Sequence, residues 1–461
     1  MPIPLVLLHG YSDKGESFQK WKDILIESGK YSEEDIHICS YRSLTNEVTI
    51  KDIAEGFDRA LRLQTGLNTD EPFDAIVHST GMLVLRSWFA VYGKERHKKI
   101  KRIIAIAPAS FGSPLAHKGR SWLGSIFKGN KEIGPDFMEA GDLVLDGLEL
   151  GSRFTWDLAH RDLLNPEVFY GPGNDTPYVF TFCGDSQYSG LRGAITNSAG
   201  TDGTVRWAGC TLNTRKVTID FTKAENSDKE KRFNITDWSA DERINLSMPL
   251  IPVAGLNHAS IIENPSEELV EMAQKALLVD TKESYVEWVK YATEKTADTF
   301  KNMKGKYQQF AVHARDERGD PINDYNLQLY QTEVAGDLRS ENSWEPLKTD
   351  VHSYSTDNSY RSFHINIEDI VNAKLKGLRL EFMASSGTDL LGYIDYRSDD
   401  TATIMEMNPQ PTFVVDLSSA LTDMDFKFFY PFTTTFIEVI LNREPLPIRD
   451  INKVAWFMKN N

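Results

Sequence analysis

The sequence predicts an α/β domain with a mainly parallel sheet, followed by an all-β sandwich domain. Up to about residue 112, short apolar runs of strand length alternate with helical patterns, as in a parallel sheet covered by helices. Beyond residue 305 the apolar period becomes two, and turn residues separate short runs, which is typical of a sandwich. The 461 residues suffice for two or three domains. We expect domains at 1–280 and 306–461, joined by a helical connector at 281–305.

The first domain begins with four predicted strands and three predicted helices. The strands are Pro4–Leu8, Ile36–Tyr41, Phe73–Val77 and Ile100–Ala107, and the helices are Ser17–Ser28, Ile50–Gln64 and Met82–Tyr92. Catalytic loops of such sheets gather at the carboxyl ends of the strands. Reactive residues are therefore expected at these strand ends.

A serine lies in a sharp turn between the third strand and the third helix. Strand, serine turn and helix together are the context of a nucleophile elbow, with Ser79 as the nucleophile. A serine hydroxyl needs a base to remove its proton and donors to stabilise the oxyanion. The backbone amide of Thr80 is one candidate donor. The amide of Tyr11 is the second, because Gly10 ends the first strand and lets the backbone come close to a ligand.

The candidate base is His258, in the loop after the apolar segment Ile251–Val253. Its place late in the chain preserves the order Ser, Asp, His. Two other histidines, His9 and His78, compete as near-site residues because they flank the candidate oxyanion strand and nucleophile. We expect His258 to be catalytic.

Two aspartates are candidates for the acid. Asp185 directly follows the apolar strand Pro177–Gly184, whereas Asp202 precedes Gly203 in a loop of small residues. An Asp-Gly turn suits a carboxylate held by turn amides, which would keep it ionised. We prefer Asp202, and Asp185 remains the alternative.

Three segments resemble lipases of the α/β-hydrolase superfamily. The stretch Val77–Arg86 resembles their nucleophile elbow, Ala107–Ala116 resembles the segment after the next strand, and Thr201–Val205 looks like their acid loop. The resemblance covers about residues 1–280. It implies an α/β-hydrolase fold with a Ser79–Asp202–His258 triad, and it is the main reason to place the acid at Asp202.

Two residues depart from the family elbow. Val77 stands two positions before the serine, where the family has a small residue, usually glycine. A branched side chain there should strain the turn or shift the helix. Met82 stands where many relatives have a second glycine. We interpret both as tolerated variation.

Residues 113–176 interrupt the alternation of strands and helices and are predicted to form a cap over the active site. Within them Trp122, Ile126 and Phe127 lie among cationic residues. These side chains would form either a mobile lid that meets a lipid interface or a fixed cap that buries them. A second insertion, 212–248, carries a charged run and is expected to be a solvated loop.

The predicted sandwich comprises eight strands. They are Gln309–Ala314, Tyr325–Tyr330, Tyr360–Ile367, Leu378–Met383, Leu390–Tyr396, Ala402–Met407, Thr412–Leu417 and Thr434–Leu441. The acidic stretch Arg315–Pro321 between the first two is expected to be a plain turn rather than a calcium loop, because Arg315 and Arg318 oppose a cation.

Composition excludes several functional classes. A net charge of −16 argues against nucleic acid as a partner. The three cysteines lack metal-ligand spacing and are expected to be buried in a reducing compartment. Neither a signal peptide nor a run of about twenty apolar residues is visible. We expect a cytoplasmic protein without metal or organic cofactor, and export by a signal-independent route stays open.

These features predict a serine esterase or lipase that hydrolyses carboxylic esters of lipids or other acyl-ester substrates. Contact with a membrane or micelle interface would be transient. Two alternatives remain: an acyltransferase with the same triad, and a catalytically silent module, disabled by Val77, that binds lipid or protein. A peptidase lacks any positive signal in the sequence.

Overall fold

The computed structural model divides the chain into two compact units. The first comprises Met1–Thr214, Asp237–Gln309 and Phe432–Thr434, and the second comprises Arg215–Thr236, Phe310–Pro431 and Thr435–Asn461. Within them the structure describes residues 3–13, 15–64, 67, 71–118, 141–172, 175–190, 193, 197–225, 232–237, 248–300, 305–333, 344–368, 370, 375–396, 412–418, 428–445 and 454–458.

The strands and helices of the described residues are numbered in chain order. The strands are β1 Leu5–Leu8, β2 Ile36–Cys39, β3 Phe73–His78, β4 Ile100–Ile106, β5 Tyr178–Gly184, β6 Thr214–Asp220, β7 Phe233–Asp237, β8 Leu250–Val253, β9 Tyr307–Asp316, β10 Asp324–Thr332, β11 Glu345–Pro346, β12 Thr349–Ser353, β13 Tyr360–Asn366, β14 Gly377–Ser385, β15 Leu391–Ile394, β16 Thr412–Asp416 and β17 Thr434–Pro445. The helices are α1 Gln19–Glu27, α2 Ile50–Gln64, α3 Gly81–Tyr92, α4 Lys94–His97, α5 Leu115–Lys118, α6 Asp142–Leu148, α7 Arg153–Asp162, α8 Ser260–Glu263, α9 Glu267–Ala276 and α10 Lys282–Phe300.

The first unit is built on a six-stranded parallel sheet in the order β2-β1-β3-β4-β5-β8. All residues of β1 and β3 are buried, which is why these strands read as continuous apolar runs rather than as alternating patterns. β3, β4 and β5 are parallel neighbours in this sheet, so their carboxyl ends lie side by side. Loops that are far apart in sequence therefore meet at this edge.

Two antiparallel-rich sheets share one core in the second unit. One sheet has the order β11-β10-β14-β16, and the other has the order β12-β13-β9-β17-β6-β7 with β15 on β17. Alternate residues face the common core, such as Phe310 and Val312 of β9 and Leu378 and Leu380 of β14. The predicted change of period is thus reproduced, and the predicted fold class is confirmed: a parallel α/β domain accompanied by a β-rich domain.

The observed units differ from the predicted domain boundaries in two places. Residues 212–248, expected to be a solvated loop, contain β6 and β7, which belong to the seven-stranded sheet. Val217, Ile219 and Phe221 explain the difference, since they recur at a period of two and are fully buried in the core of the second unit. The expected connector is also different, because α10 is part of the first unit. Its Trp288 packs edge-on against Phe180 of β5, with ring centroids 5.1 Å apart.

Some predictions fall outside the described residues. These are the proposed lid side chains of Trp122, Ile126 and Phe127 and the predicted strand Ala402–Met407. The flanking parts of the predicted cap are described and contain α6 and α7. Where the structure describes the chain, no helix is both long and apolar enough to cross a membrane.

Candidate active site

The predicted nucleophile elbow occupies the two residues between β3 and α3. Ser79 has a left-handed backbone with φ of 53°, a conformation that L-residues adopt at a cost. Its amide donates to the Ile106 carbonyl at 3.2 Å, and its carbonyl accepts from the Ala109 amide at 3.1 Å. A Cβ atom on Gly81 would lie 2.7 Å from the Leu8 carbonyl oxygen, so only glycine fits there. The turn is therefore fixed by neighbouring strands on both sides.

Ser79, His258 and Asp202 form a continuous line of hydrogen bonds. His258 Nε2 lies 3.0 Å from Ser79 Oγ, and His258 Nδ1 lies 2.8 Å from Asp202 Oδ2. All three residues are less than a tenth exposed. An ionised carboxylate only accepts hydrogen bonds, so Nδ1 carries the proton and Nε2 is left to accept the serine proton. This tautomer is the one that a general base requires.

The carboxylate of Asp202 has a different set of donors on each oxygen. Oδ1 accepts from the amides of Thr204 at 2.9 Å and Val205 at 2.8 Å. Oδ2 faces His258 and also accepts from Cys183 Sγ at 3.5 Å. The turn amides foreseen from the Asp-Gly pair are thus present. They stabilise the negative charge of a residue that is fully buried.

Solved structures of another protein share this architecture over nearly the whole chain. Phospholipase PlaB from Legionella pneumophila superposes with a TM-score of 0.75 at 22% identity, covering 96% of this chain and 94% of that one. Its complex with thio-NAD superposes with a TM-score of 0.74 at 23% identity over the same shares. The chain has an α/β-hydrolase fold, followed by a β-rich domain. No protein-family model and no curated protein matches the sequence.

More distant structures add nothing to this comparison. Lipase BlEst2 from Bacillus licheniformis, in its mature form, reaches a TM-score of 0.38 at 15% identity over 60% of this chain and 93% of that chain. At such a score the superposition carries no argument. The similarity to PlaB, at less than 25% identity, is one of fold.

The alternative acid lies elsewhere on the same edge of the α/β-hydrolase sheet. Asp185 Oδ1 accepts from the amide of Gly255 at 2.7 Å and from Ser186 Oγ at 3.0 Å. Its carboxylate thereby ties the turn after β5 to the turn after β8. The structure brings Asp202, and not Asp185, to Nδ1 of His258.

His78 lies beside the predicted triad and does not take part in its line of hydrogen bonds. Its Nε2 donates to the backbone carbonyl of His258 at 3.1 Å, and the two rings are tilted with centroids 4.8 Å apart. Burial, followed by repulsion from His258, holds the pKa of His78 well below its usual range. His78 is therefore neutral, and its hydrogen bond supports the loop that carries His258.

His9 fixes the backbone opposite the nucleophile. Its Nδ1 donates to the Gly10 carbonyl at 2.7 Å, while its Nε2 accepts from the Tyr41 amide at 3.0 Å. The rings of His9 and Tyr41 stack with centroids 4.0 Å apart, and burial lowers the pKa of His9. Sequence reasoning missed Tyr41. Its position at the end of the predicted second strand, beside the first, was the available signal.

The predicted oxyanion donors flank Ser79. A Cβ atom on Gly10 would lie 2.9 Å from Ser79 Cβ and 3.4 Å from Oγ, so the backbone before Tyr11 passes directly over the nucleophile. Thr80 is the N-cap residue of α3, where backbone amides are not used by the helix. Both predicted donors thus belong to backbone next to the reactive hydroxyl.

The two departures from the family elbow are accommodated inside the first unit. Val77 and Met82 are both fully buried. In the sheet register Val77 lies between Leu8 of β1 and Ala105 of β4. The small side chain of Ala105 leaves space on one side of the branched residue.

Arg86 is a buried residue whose role the sequence did not reveal. It forms a two-point ion pair with Asp162, with nitrogen–oxygen distances of 2.8 and 2.9 Å, and neither side chain is exposed. Tyr170 donates to the same carboxylate at 2.8 Å, and Arg86 Nη1 donates to the Ser110 carbonyl. The arginine therefore links the elbow helix α3 to α7 of the predicted cap. The available signal was a charged residue within an apolar helix.

The described residues include no group of three or more His, Cys, Asp or Glu side chains placed to bind a metal ion. The acidic turn at Arg315–Pro321 is closed by its own chain, since Asp316 Oδ1 accepts from the amides of Arg318 and Asp320. Chemically, the site pairs a serine with an oriented imidazole and a buried carboxylate. Such a set can transfer an acyl group to and from serine.

Proposed function

We propose that this protein is a serine hydrolase that cleaves carboxylic esters of lipid or other acyl-ester substrates. The observation that carries the proposal is the hydrogen-bonded line from Ser79 through His258 to Asp202. Its tautomer and burial meet the requirements of nucleophilic catalysis by serine.

In the proposed reaction Ser79 Oγ attacks the acyl carbonyl while His258 Nε2 takes the serine proton. His258 then gives this proton to the leaving alcohol, and an acyl-enzyme remains. Water, deprotonated by the same nitrogen, attacks the acyl-enzyme and releases the acid. Asp202 holds the tautomer of His258 and stabilises the imidazolium, without becoming protonated.

The negative charge on the carbonyl oxygen would be held by the backbone amides of Tyr11 and Thr80. Each donor of this kind contributes about 3 to 4 kcal/mol to stabilising the transition state. The proximity of Gly10 to Ser79 and the N-terminal position of Thr80 on α3 support this assignment. Adding any side chain at residue 10 would block the site.

A lipid is the favoured substrate class. PlaB, with which the chain shares its fold over both domains, is a phospholipase by name. The substrate would then be presented at a membrane or micelle surface, with which the protein makes transient contact. Nucleic acid is not expected as a partner, given the net charge of −16.

Hydrolysis of nitrophenyl esters of increasing acyl length, with and without detergent micelles, tests this function. We expect turnover by the wild type that rises with chain length at the micelle surface, and its loss in Ser79→Ala. Ser87→Ala is the matched control, because Ser87 is a buried serine on the adjacent helix whose hydroxyl contacts no hydrogen-bond partner among the described residues. Full activity of Ser79→Ala would reject the proposal.

Two further measurements separate the alternatives. Products formed in the presence of added alcohols distinguish hydrolysis from acyl transfer, since only a transferase makes new ester in preference to acid. Covalent capture by a serine-reactive phosphonate distinguishes both enzymes from a silent binding module. We expect capture by the wild type and none by Ser79→Ala.

A further inference from the structure

The segment of residues 107–116, which we call the β4–α5 segment, is tied to the nucleophile at one end. The amide of Ala109 donates to the carbonyl of Ser79 itself at 3.1 Å. The carbonyl of Ser110, one residue later, accepts from the buried guanidinium of Arg86 on the elbow helix. The start of this segment is therefore fixed relative to Ser79.

The same segment is tied to the acid loop at its other end. Ser113 Oγ donates to the carbonyl of Thr204 at 2.6 Å, and Ser110 Oγ donates to the carbonyl of Cys210 at 2.8 Å. Both serines are buried, with at most 2% of their surface exposed. The two hydroxyls thus hold, by hydrogen bonds, the backbone that follows Asp202 in the chain.

The contact of Ser113 reaches Asp202 through a single peptide group. The carbonyl of Thr204 and the amide of Val205 belong to one planar peptide unit. That amide donates to Asp202 Oδ1 at 2.8 Å, so the path runs from the Ser113 hydroxyl through the Thr204–Val205 peptide to the carboxylate. A donor on the carbonyl polarises the peptide and strengthens its amide as a donor, while it also fixes the peptide plane.

The backbone that carries Ser113 has little freedom to move. Gly112 has φ of 91°, and a Cβ atom there would lie 2.8 Å from the Leu148 carbonyl oxygen. The Ser113 amide donates to that same carbonyl at 2.8 Å. The hydroxyl is thus presented from a rigid support packed against the end of α6.

We propose that Ser113 is a positioning residue that sets the orientation of the Asp202 carboxylate toward His258. It acts through the Thr204–Val205 peptide and touches neither substrate nor the reacting atoms. The inference rests on the proposed function, since it concerns the acid of that triad. In the sequence this segment was identified only by its resemblance to lipases, and no role was predicted for Ser113.

Loss of the Ser113 hydroxyl should change both the rate and its dependence on pH. A well-oriented Asp202 carboxylate stabilises the imidazolium that forms on His258 during the reaction. Without Ser113 Oγ the Thr204–Val205 peptide holds the carboxylate less firmly, and the imidazolium loses part of this stabilisation. The acidic limb of the pH profile of kcat/KM reports protonation of the enzyme's essential base, so we expect this limb to move to lower pH as kcat decreases.

The experiment compares wild type, Ser113→Ala and Ser113→Cys in pH profiles of ester hydrolysis. We expect about 10-fold lower kcat for Ser113→Ala, KM within about twofold, and an acidic limb lower by about half a pH unit. Ser113→Cys keeps a weaker donor and should lie between the two. Ser359→Ala, which removes an equally buried serine hydroxyl from the second unit, is the control and should leave the profile unchanged.

Each result has a distinct meaning. An unshifted acidic limb in Ser113→Ala, with any loss of kcat uniform across pH, overturns the positioning role, because a merely structural residue would reduce only the folded fraction. If Ser113→Ala does not fold, an unshifted limb in Ser113→Cys overturns it equally. Failure of the proposed function is separate: it would appear as turnover that survives Ser79→Ala.

Discussion

Two loops that follow β5 carry acidic residues, and they differ in how they hold them. Asp185, directly after the strand, lies at a half-buried turn and accepts from Gly255 and Ser186. Asp202, further along, is fully buried, and its two oxygens have separate tasks. Oδ1 accepts two turn amides and Oδ2 accepts from His258.

The contrast explains which kind of carboxylate can support a catalytic histidine. Water around a half-exposed carboxylate screens its charge and leaves its orientation free. A buried carboxylate that accepts hydrogen bonds from amides on one oxygen keeps both its charge and its orientation. The division of hydrogen-bond donors between the two carboxylate oxygens is therefore a better criterion for choosing the acid than nearness to a strand end.

The largest effect is expected from Asp202→Asn. The amide side chain would favour the wrong tautomer of His258, so kcat should fall by about 10⁴-fold while the fold is kept. Steady-state kinetics on a soluble ester and a melting curve of the same sample provide the measurement. Loss of activity below 10-fold would place the acid elsewhere.

A third carboxylate, the partly buried Glu438, tests whether cations can replace amides in holding an acid in its ionised form. Burial alone would raise the pKa of Glu438, but hydrogen bonds and charges of Lys216 and Arg315 hold it at about 2. Its folded pKa is below the ordinary value of 4.5, so its contribution is present above pH 4.5 and lost as the pH falls toward 2. That contribution is about 3 kcal/mol.

The corresponding variant is Glu438→Gln. Urea unfolding between pH 6 and 2.5 should show a larger fall in the free energy of unfolding for the wild type than for the variant, which keeps only the other carboxylates. Ester hydrolysis at neutral pH should change little, because this residue belongs to the second unit. Equal acid sensitivity in both proteins would contradict the ion-pair explanation.

The predicted elbow differs from the acid loop because one of its side chains, that of Val77, departs from the family pattern. Val77→Gly removes a fully buried side chain between Leu8 and Ala105, and it should lower the free energy of unfolding by about 2 kcal/mol. Activity per folded molecule should be preserved or raised if the valine is merely tolerated. Chemical unfolding and phosphonate capture measure the two quantities, and a large loss of capture would mean that the elbow depends on Val77.

The smallest effect is expected from Asp185→Asn. Asparagine can still accept from the Gly255 amide, so stability should change by less than about 1 kcal/mol and kcat by less than about twofold. The same kinetic assay as for Asp202→Asn gives the direct comparison. A loss of several orders of magnitude here would reverse the assignment of the two loops.

Much of the fold follows from local patterns in the sequence. The apolar runs of β1, β3 and β4 predicted a buried parallel sheet because strands covered on both faces have no polar side. Ser79 was identifiable because a strand, a sharp turn and a helix are contiguous in sequence. His258 was harder to place, since only chain order distinguished it from other histidines.

The remaining features depend on contacts between distant segments, which no local pattern encodes. The pairing of Arg86 with Asp162 joins residues 76 positions apart, and the Ser113 contact reaches 91 positions along the chain. For the same reason, the sequence did not predict that β6 belongs to the seven-stranded sheet. A charged run next to it suggested a loop, although its alternate residues form part of a core.

The place of β6 also has a consequence for the making of the protein. This strand pairs with β17, which begins at Thr434, 220 residues after Thr214, where β6 starts. At a synthesis rate of about 5–20 residues per second, β6 waits about 10 to 40 s on the ribosome before its partner exists. Throughout that interval Val217, Ile219 and Phe221 have no finished core to enter. During that interval the nascent chain exposes apolar side chains near its middle, the kind of surface that makes folding intermediates prone to aggregation.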